Sequence, residues 1–280
     1  MSKKQKNTRV AIITGGAGGI GAAMARRMIV DGHRLALMDI DGAAAARVAE
    51  TINKEAGTNG VLGIGGDVAK PADCEAAIGQ TSDAFGQVDI IVNNAGFGAS
   101  KIRPDGEKNL LTIEELTPEV WQQFLSVNMN GPLQMMRAAL PGMRERGWGR
   151  VINVTTSFFT MLRNMPYGAS KAALEAGSSA WAQELDGTGI TVNVVVPGGP
   201  TDTPFIAPES GIDPAKMLRP DVMGPPVAWL CSRDADGVTG QRFIGGRWDP
   251  TLPDAEAAAI AGSPVAWPEL AASTVIWPDD

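Results

Sequence analysis

Histidine, tyrosine and cysteine are scarce in this chain: one His, one Tyr and two Cys in 280 residues. Cys74 and Cys231 are far apart and fall in helix-like contexts, so neither a disulfide nor metal-ligand spacing is expected. His33 falls at a predicted helix–strand turn, where a lone histidine is expected to be solvated. No zinc site with paired histidines fits, and a Ser-His-Asp triad would have to use His33 with no visible partner. A basic excess is also missing. The net charge of -7 argues against a nucleic-acid partner. Lys3, Lys4 and Lys6 read as a frayed start rather than a binding arm. No stretch approaches the ~20 apolar residues that span a bilayer. The first apolar run, Val10 to Thr14, passes straight into glycines, without a signal-peptide core. A cytoplasmic protein with no membrane partner is the expectation.

What is present is an ordinary globular composition, with 44% apolar and 20% charged residues. The length suits one α/β domain, or a domain with an appendage. The 34 glycines fall in short clusters, which suggests tight turns and close approach of backbone to a ligand. Apolar, β-branched runs at residues 9–14, 34–39, 61–65, 89–93, 151–155, 191–196 and 241–244 predict strands. Helical patterns over 20–30, 43–55, 72–85, 118–145, 167–186 and 222–232 alternate with them. Buried strands alternating with helices imply a Rossmann-like, doubly wound parallel sheet with helices on both faces. One nucleotide-binding and catalytic domain over residues 1–246 is expected. Residues 247–280 form a tail with many prolines and Trp248, Trp267 and Trp277, expected to dock at a subunit interface because free it would expose apolar surface.

Ligands in such sheets bind beyond the carboxyl ends of the strands. After the first strand comes Thr14-Gly15-Gly16-Ala17-Gly18-Gly19-Ile20-Gly21, leading into a helix. A glycine run alone is a weak signal. Placed between strand and helix, it lets backbone approach a pyrophosphate at a helix N-terminus. Asp39 ends the second strand roughly 20 residues further on, where a carboxylate accepts hydrogen bonds from an adenosine ribose. It would repel a 2′-phosphate, and Ile40 and Asp41 offer no compensating cation, so NAD is the expected cofactor. Tyr167 and Lys171 are four residues apart and share a helix face. An ammonium beside a phenol favours the phenolate, which suits Tyr167 as an acid/base for an alcohol. The preceding strand ends in hydroxyls, Thr155-Thr156-Ser157.

Together with Asp67-Val68, Asn93-Asn94-Ala95-Gly96, Asn128 and Pro197-Gly198, these motifs resemble, in order and spacing, the short-chain dehydrogenase/reductases over about residues 8–246. The resemblance implies an oxidoreductase moving a hydride between NAD and a secondary alcohol or ketone. It implies cofactor contacts at Gly15, Gly18, Gly19, Ile20, Gly21, Asp39, Asp67, Val68, Asn94, Tyr167, Lys171, Pro197, Gly198 and Thr201. Asn94 is equally readable as a purely structural residue. Asn128 would bind a water linking Lys171 to solvent. Thr201 or Thr203 would reach the pyrophosphate, because this loop is one residue longer than the family's. The substrate oxygen would be held by Ser157, realigned by a mobile loop over 158–165, with Thr156 as the alternative. The catalytic set is then Asn128, Ser157, Tyr167 and Lys171, with no metal, in a homotetramer or homodimer.

Phe158, Phe159, Met161, Leu162, Phe205 and Ile206 point to an apolar pocket, with Arg163 or Arg103 available to an acidic substrate group. Three rivals differ in what they need. An NADP-dependent 3-ketoacyl-thioester reductase is disfavoured by Asp39. A non-catalytic nucleotide-sensing protein has no need of the Tyr167–Lys171 pair. A sugar-nucleotide epimerase normally carries a larger substrate domain.

Overall fold

The computed structural model describes residues 8–274. Lys3, Lys4, Lys6 and Trp277 lie outside them. The first strand, β1 (Val10–Thr14), feeds α1 (Gly19–Val30), and β2 (Arg34–Asp39), α2 (Gly42–Ala56), β3 (Val61–Gly65), α3 (Pro71–Phe85) and β4 (Ile90–Asn93) follow in alternation. The predicted long helix is α4 (Pro118–Leu125) and α5 (Gly131–Arg146) joined by a π-helical turn at Ser126–Asn130. Then come β5 (Gly149–Val154), the short α6 (Phe158–Met161), α7 (Tyr167–Glu184), β6 (Ile190–Val196), α8 (Gly224–Leu230) and β7 (Gln241–Ile244).

The sheet order is β3-β2-β1-β4-β5-β6-β7, every pair parallel, with one further strand beyond β7. Strand order reverses between β1 and β4, so a crevice opens there at the strands' carboxyl ends. Both sheet faces are buried. In β1, Ala11 and Ile13 pack with Met24 and Met28 of α1 on one face, while Ile12 packs with Met135 and Met143 of α5 on the other. This is why the strands read as continuous apolar runs rather than alternating ones.

The tail differs from its expectation. Residues 247–274 belong to the sheet domain: α9 (Asp254–Ala261) leads to β8 (Gly262–Pro264), which pairs antiparallel with β7, and α10 (Pro268–Thr274) follows. Ala257, Ala258 and Ala261 of α9 are buried in the core that holds Trp229, Phe243 and Trp248. Trp248 is 6% exposed and packs tilted against Trp229 and edge-on against Phe243, so its apolar surface is covered by its own chain. The alanine-rich, low-contrast α9 and the three-residue β8 carry too little periodicity to be seen in sequence.

His33 also departs from expectation. It is buried, and its Nδ1 accepts a hydrogen bond from the Arg9 backbone N–H at 3.3 Å. Burial lowers its pKa. It immediately precedes β2, at the end of the sheet away from the crevice. Cys74 and Cys231 are buried free thiols, pushed up to about 11 and about 12, in each case chiefly by burial. Among the described residues no helix is long and apolar enough to cross a membrane, and no cluster of side chains is arranged to hold a metal ion.

Candidate active site

The glycine loop folds tightly over the end of β1. Gly15 takes φ +62°, a left-handed conformation that favours glycine. A Cβ on Gly21 would lie 2.3 Å from the Gly15 carbonyl oxygen, so the helix can start this close to the turn only without a side chain. Gly18 caps α1 with no side-chain hydrogen bond, which leaves the first-turn N–H groups of Gly19, Ile20 and Gly21 open to a ligand. Asn94 holds the loop from below: its Nδ2 donates to the carbonyls of Thr14 (2.9 Å) and Gly15 (3.1 Å). Asn94 therefore both anchors the turn and lines the cleft.

Asp39 sits beside this loop. Its two carboxylate oxygens accept from the N–H groups of Ala17 and Asp41, each at 3.1 Å. Asp67 turns the chain after β3 by accepting from the Ala69 N–H at 2.9 Å. A side groove past Asp39 is lined by Ile40, Asp67, Ala69 and Val127. Val68 is buried against Gly131, where a Cβ would come within 2.9 Å of its methyl group.

On the other side of the crevice, Pro197, Gly198, Thr201 and Thr203 follow β6 and line the main cleft, a cavity of about 1020 Å³. Thr201 is buried, bonds the Gly199 carbonyl at 3.2 Å and bridges to Leu218. Thr203 packs over Gly19, its methyl group 2.6 Å from where a Cβ would stand. Of the two threonines, Thr203 is the one that reaches the glycine loop. Thr201 is instead turned inward and holds the turn together.

Tyr167 and Lys171 stand one turn apart at the start of α7, and both line the same cleft as the glycine loop. The Lys171 Nζ donates to the Val154 carbonyl at 2.8 Å. Burial pushes its pKa down from an ordinary 10.5 to about 8. Burial also pushes the Tyr167 phenol up; a hydrogen bond with Thr156 pulls the other way, and the negative charge of Glu107 adds to the rise. Thr156, at the end of β5, is therefore the hydroxyl that faces the phenol.

Ser157, the expected substrate-oxygen ligand, is engaged elsewhere. It is the N-cap of α6, accepting from the Thr160 N–H at 3.1 Å, and its hydroxyl also bonds the Thr160 hydroxyl at 2.9 Å. Residues 158–161, expected as part of a mobile loop, form that helical turn. A serine followed by a helix start was the available signal.

Asn128 is fully buried in the π-helical turn. Its side chain clamps the Phe97 backbone, accepting from the N–H (2.8 Å) and donating to the carbonyl (3.1 Å), and it also donates to the Ser170 hydroxyl at 2.9 Å. A Cβ on Gly96 would touch both Asn128 Oδ1 (3.0 Å) and Lys171 Nζ (3.4 Å), so the two side chains meet over that glycine. The π turn interrupts the long helix at Asn128, and such turns are frequent at functional sites.

Four residues behind and beside the site were not foreseen. Arg242 of β7 and Glu175 of α7 form a buried ion pair at 2.7 Å. Arg242 also bonds the Thr155 hydroxyl (3.2 Å) and the Thr156 carbonyl (2.6 Å), and its guanidinium lies over the Phe158 ring. The signal was an arginine inside an apolar strand, and a glutamate continuing the Tyr167–Lys171 stripe by four residues. Glu107 and Asn164 line the cleft near Tyr167. Of the two arginines considered for a substrate group, Arg163 lines the cleft, whereas Arg103 is paired with Glu115 at 2.6 Å.

The depressed Lys171 pKa predicts a pH dependence of stability. An unfolded lysine keeps its proton to about pH 10.4, whereas Lys171 in the folded chain releases it near about 8. Between those values the unfolded chain binds more protons, so this group's contribution to stability rises with pH. Below the window both states are protonated and the contribution stays flat at its unfavourable value. Urea unfolding of the wild type and Lys171→Met, below and inside the window, is expected to show a rise specific to the wild type. Parallel curves would contradict it.

This is the site of a nicotinamide-dependent oxidoreductase, and the chain belongs to the short-chain dehydrogenase/reductase family, whose short chain dehydrogenase model matches residues 9–210. A short-chain type dehydrogenase/reductase of Picea abies is 33% identical over 257 residues, covering 85% of this chain and 92% of its own. A 2,5-dichloro-2,5-cyclohexadiene-1,4-diol dehydrogenase of Sphingobium indicum is 32% identical over 252 residues, covering 86% and 96%. Among solved structures, a 3-ketoacyl-(acyl-carrier-protein) reductase of Brucella melitensis in complex with NADH superposes with a TM-score of 0.73 at 30% identity, covering 87% of this chain and 99% of that one.

Proposed function

We propose that this protein transfers a hydride between NAD and a secondary alcohol or ketone, with Tyr167 as the proton-transfer group. The observation that carries the reading is that one cleft is lined by the glycine loop with its open helix N-terminus and by Thr156, Tyr167 and Lys171. The cradle fits a dinucleotide: close glycines and free N–H groups suit a pyrophosphate, and Asp39 at the loop's edge suits an unphosphorylated ribose. Gly15, Gly18, Gly19, Ile20, Gly21, Asp39, Asp67, Val68 and Asn94 would hold the adenosine and pyrophosphate half. Pro197, Gly198 and Thr203 would close over the nicotinamide half, with Thr201 as the internal brace of their turn. Bound there, the nicotinamide would take or return the hydride at the substrate carbon.

Within the reading, Thr156 takes the role expected of Ser157, holding the substrate oxygen beside the Tyr167 hydroxyl. A Lys171 ammonium one turn away would favour loss of the phenol proton, against the burial that opposes it. Asn128 keeps the Phe97 backbone and Ser170 in register beneath Lys171 and stands where a bridging water would carry the proton onward. The protein acts in the cytoplasm as a homodimer or homotetramer, in which a second copy covers apolar side chains such as Ile113 and Leu162, each more than four-fifths exposed. Light scattering on the purified protein tests the assembly, and a monomer would contradict it.

The experiment is to follow reduced nicotinamide with NAD or NADP over a panel of secondary alcohols. Turnover with NAD that disappears in Tyr167→Phe supports the proposal, and NAD binding without turnover of any alcohol or ketone counts against it. Asp39→Ser is expected to shift the NADP-to-NAD ratio of kcat/KM toward NADP by about tenfold or more, because it removes one charge facing the 2′-phosphate position. An unchanged ratio would remove Asp39 from cofactor selection. The similarity to a ketoacyl reductase favours a second reading, reduction of a 3-ketoacyl thioester, which the same panel tests by including one.

A further inference from the structure

The polar insertion after β4 places a carboxylate in the reaction cleft. Gly98 leads into it, and Glu107 folds back so that its Oε1 accepts from the Ala99 N–H at 3.2 Å. The Phe205 ring lies against Gly98 on one side and 5.7 Å from the Tyr167 ring on the other. Glu107 thus lines the same cleft as Thr156 and Tyr167, and its charge adds to the rise in the phenol's pKa. It bears no ion pair among the described residues. Its second oxygen accepts from Asn164 Nδ2 at 3.3 Å.

That last contact orients the amide. With Nδ2 turned to a carboxylate, Asn164 Oδ1 must face away; the reverse orientation would set oxygen against oxygen. Oδ1 is buried and has no hydrogen-bond partner. Asn164 is 5% exposed and sits in the wall of the cleft. A buried acceptor left without a donor is costly. Beside the Glu107 carboxylate the cleft wall thus holds a second acceptor, Asn164 Oδ1, with no donor.

We propose that Glu107, held by Asn164, accepts a hydrogen bond from a second hydroxyl of the substrate, adjacent to the reacting carbinol, so that the preferred substrates are vicinal diols or polyols. The inference rests on reading this cleft as the hydride-transfer site. A substrate carboxylate placed there would be repelled by the Glu107 carboxylate. An ammonium is disfavoured because Lys171, Arg163 and Lys108 already bring positive charge to the same cleft. A neutral hydroxyl meets both conditions, donating one hydrogen bond without adding charge.

The test compares four-carbon substrates of one skeleton: a secondary alcohol, the vicinal diol, the amino alcohol and the hydroxy acid. The diol is expected to exceed the plain alcohol in kcat/KM by on the order of tenfold, the size of one hydrogen bond to a charged group. Glu107→Gln, checked for folding by its melting curve, is expected to bring that ratio close to one. Binding of diol and plain alcohol to the Tyr167→Phe protein loaded with NADH, by calorimetry, reads the subsite without turnover. Tighter binding of the diol that Glu107→Gln abolishes upholds the subsite even if no alcohol is oxidised, in which case the hydride-transfer reading fails alone. Equal binding and equal kcat/KM for diol and plain alcohol overturn the inference while leaving the enzyme, as does preference for the hydroxy acid or the amino alcohol.

Discussion

Tyr167→Phe is expected to lower kcat for alcohol oxidation by about 10²–10⁴-fold, the usual contribution of a positioned acid/base, with little change in cofactor affinity or melting temperature. The ring keeps its contact with Phe205, and only the hydroxyl that meets Thr156 is lost. Burial alone makes this phenol a worse acid than free tyrosine, so the reaction depends on the positive charge one turn away. Lys171 holds that charge below about pH 8. The two groups line one cleft, one helical turn apart. Oxidation needs the pair to have given up a proton, so kcat/KM in that direction is expected to rise with pH, whereas reduction, which needs the proton, falls. A flat profile in both directions would separate Tyr167 from proton transfer.

The neighbouring hydroxyls divide the same way. Thr156→Ala is expected to lose activity at nearly unchanged stability. Ser157→Ala is expected to lose about 0.5–2 kcal/mol of stability with its cap and to retain the larger share of activity. The opposite pattern, read from kcat and from urea unfolding, would return the substrate oxygen to Ser157.

That distinction marks where the sequence stops being legible. The seven parallel strands and the helices between them were visible because each buries a run of apolar residues on a period the eye can count. The glycine loop, Asp39 and the Tyr167–Lys171 pair were visible because their spacing is local: a turn needs its glycines in order, and a helix face repeats every four residues. Thr156 against Ser157 was not decided by spacing, since one residue either way leaves a hydroxyl near Tyr167. It is decided by which hydroxyl the following helical turn takes as its cap. Thr201 and Thr203 repeat the lesson, with one bracing the turn and the other packed on Gly19. Glu107, Asn164 and Arg242 were hidden because the Glu107–Asn164 contact spans 57 residues of chain and those of Arg242 with Glu175, Thr156 and Thr155 span 67 to 87. The tail's place in the sheet was hidden for a related reason. Tryptophans on a proline-rich segment do require cover, but nothing in their spacing says whether it comes from a partner or, as for Trp248, from the same chain.

Arg242→Met is expected to cost about 3–5 kcal/mol of stability, because it leaves Glu175 buried without its cation. Glu175 is fully buried, and Arg242 supplies its charge partner at 2.7 Å. The remaining contacts, from the Thr155 hydroxyl at 2.7 Å and the Ala266 N–H at 3.4 Å, cannot replace it. The same guanidinium grips the Thr156 carbonyl, so stability and chemistry are joined in one side chain. The double variant Arg242→Met/Glu175→Leu separates them. Removing both charges is often neutral or stabilising when apolar groups fill the space, so folding should recover most of what the single variant loses. The Thr156 carbonyl would still lack its donor, and the end of β5 would be free to shift relative to Tyr167. The double variant is therefore expected to fold nearly as well as the wild type in urea, yet to keep a lowered kcat with KM for NAD unchanged. Recovery of kcat along with stability would reduce the pair to a fold element. A kcat that stays low in a stable protein would show that Arg242 positions the hydroxyl at the end of β5 from the strand two places along the sheet.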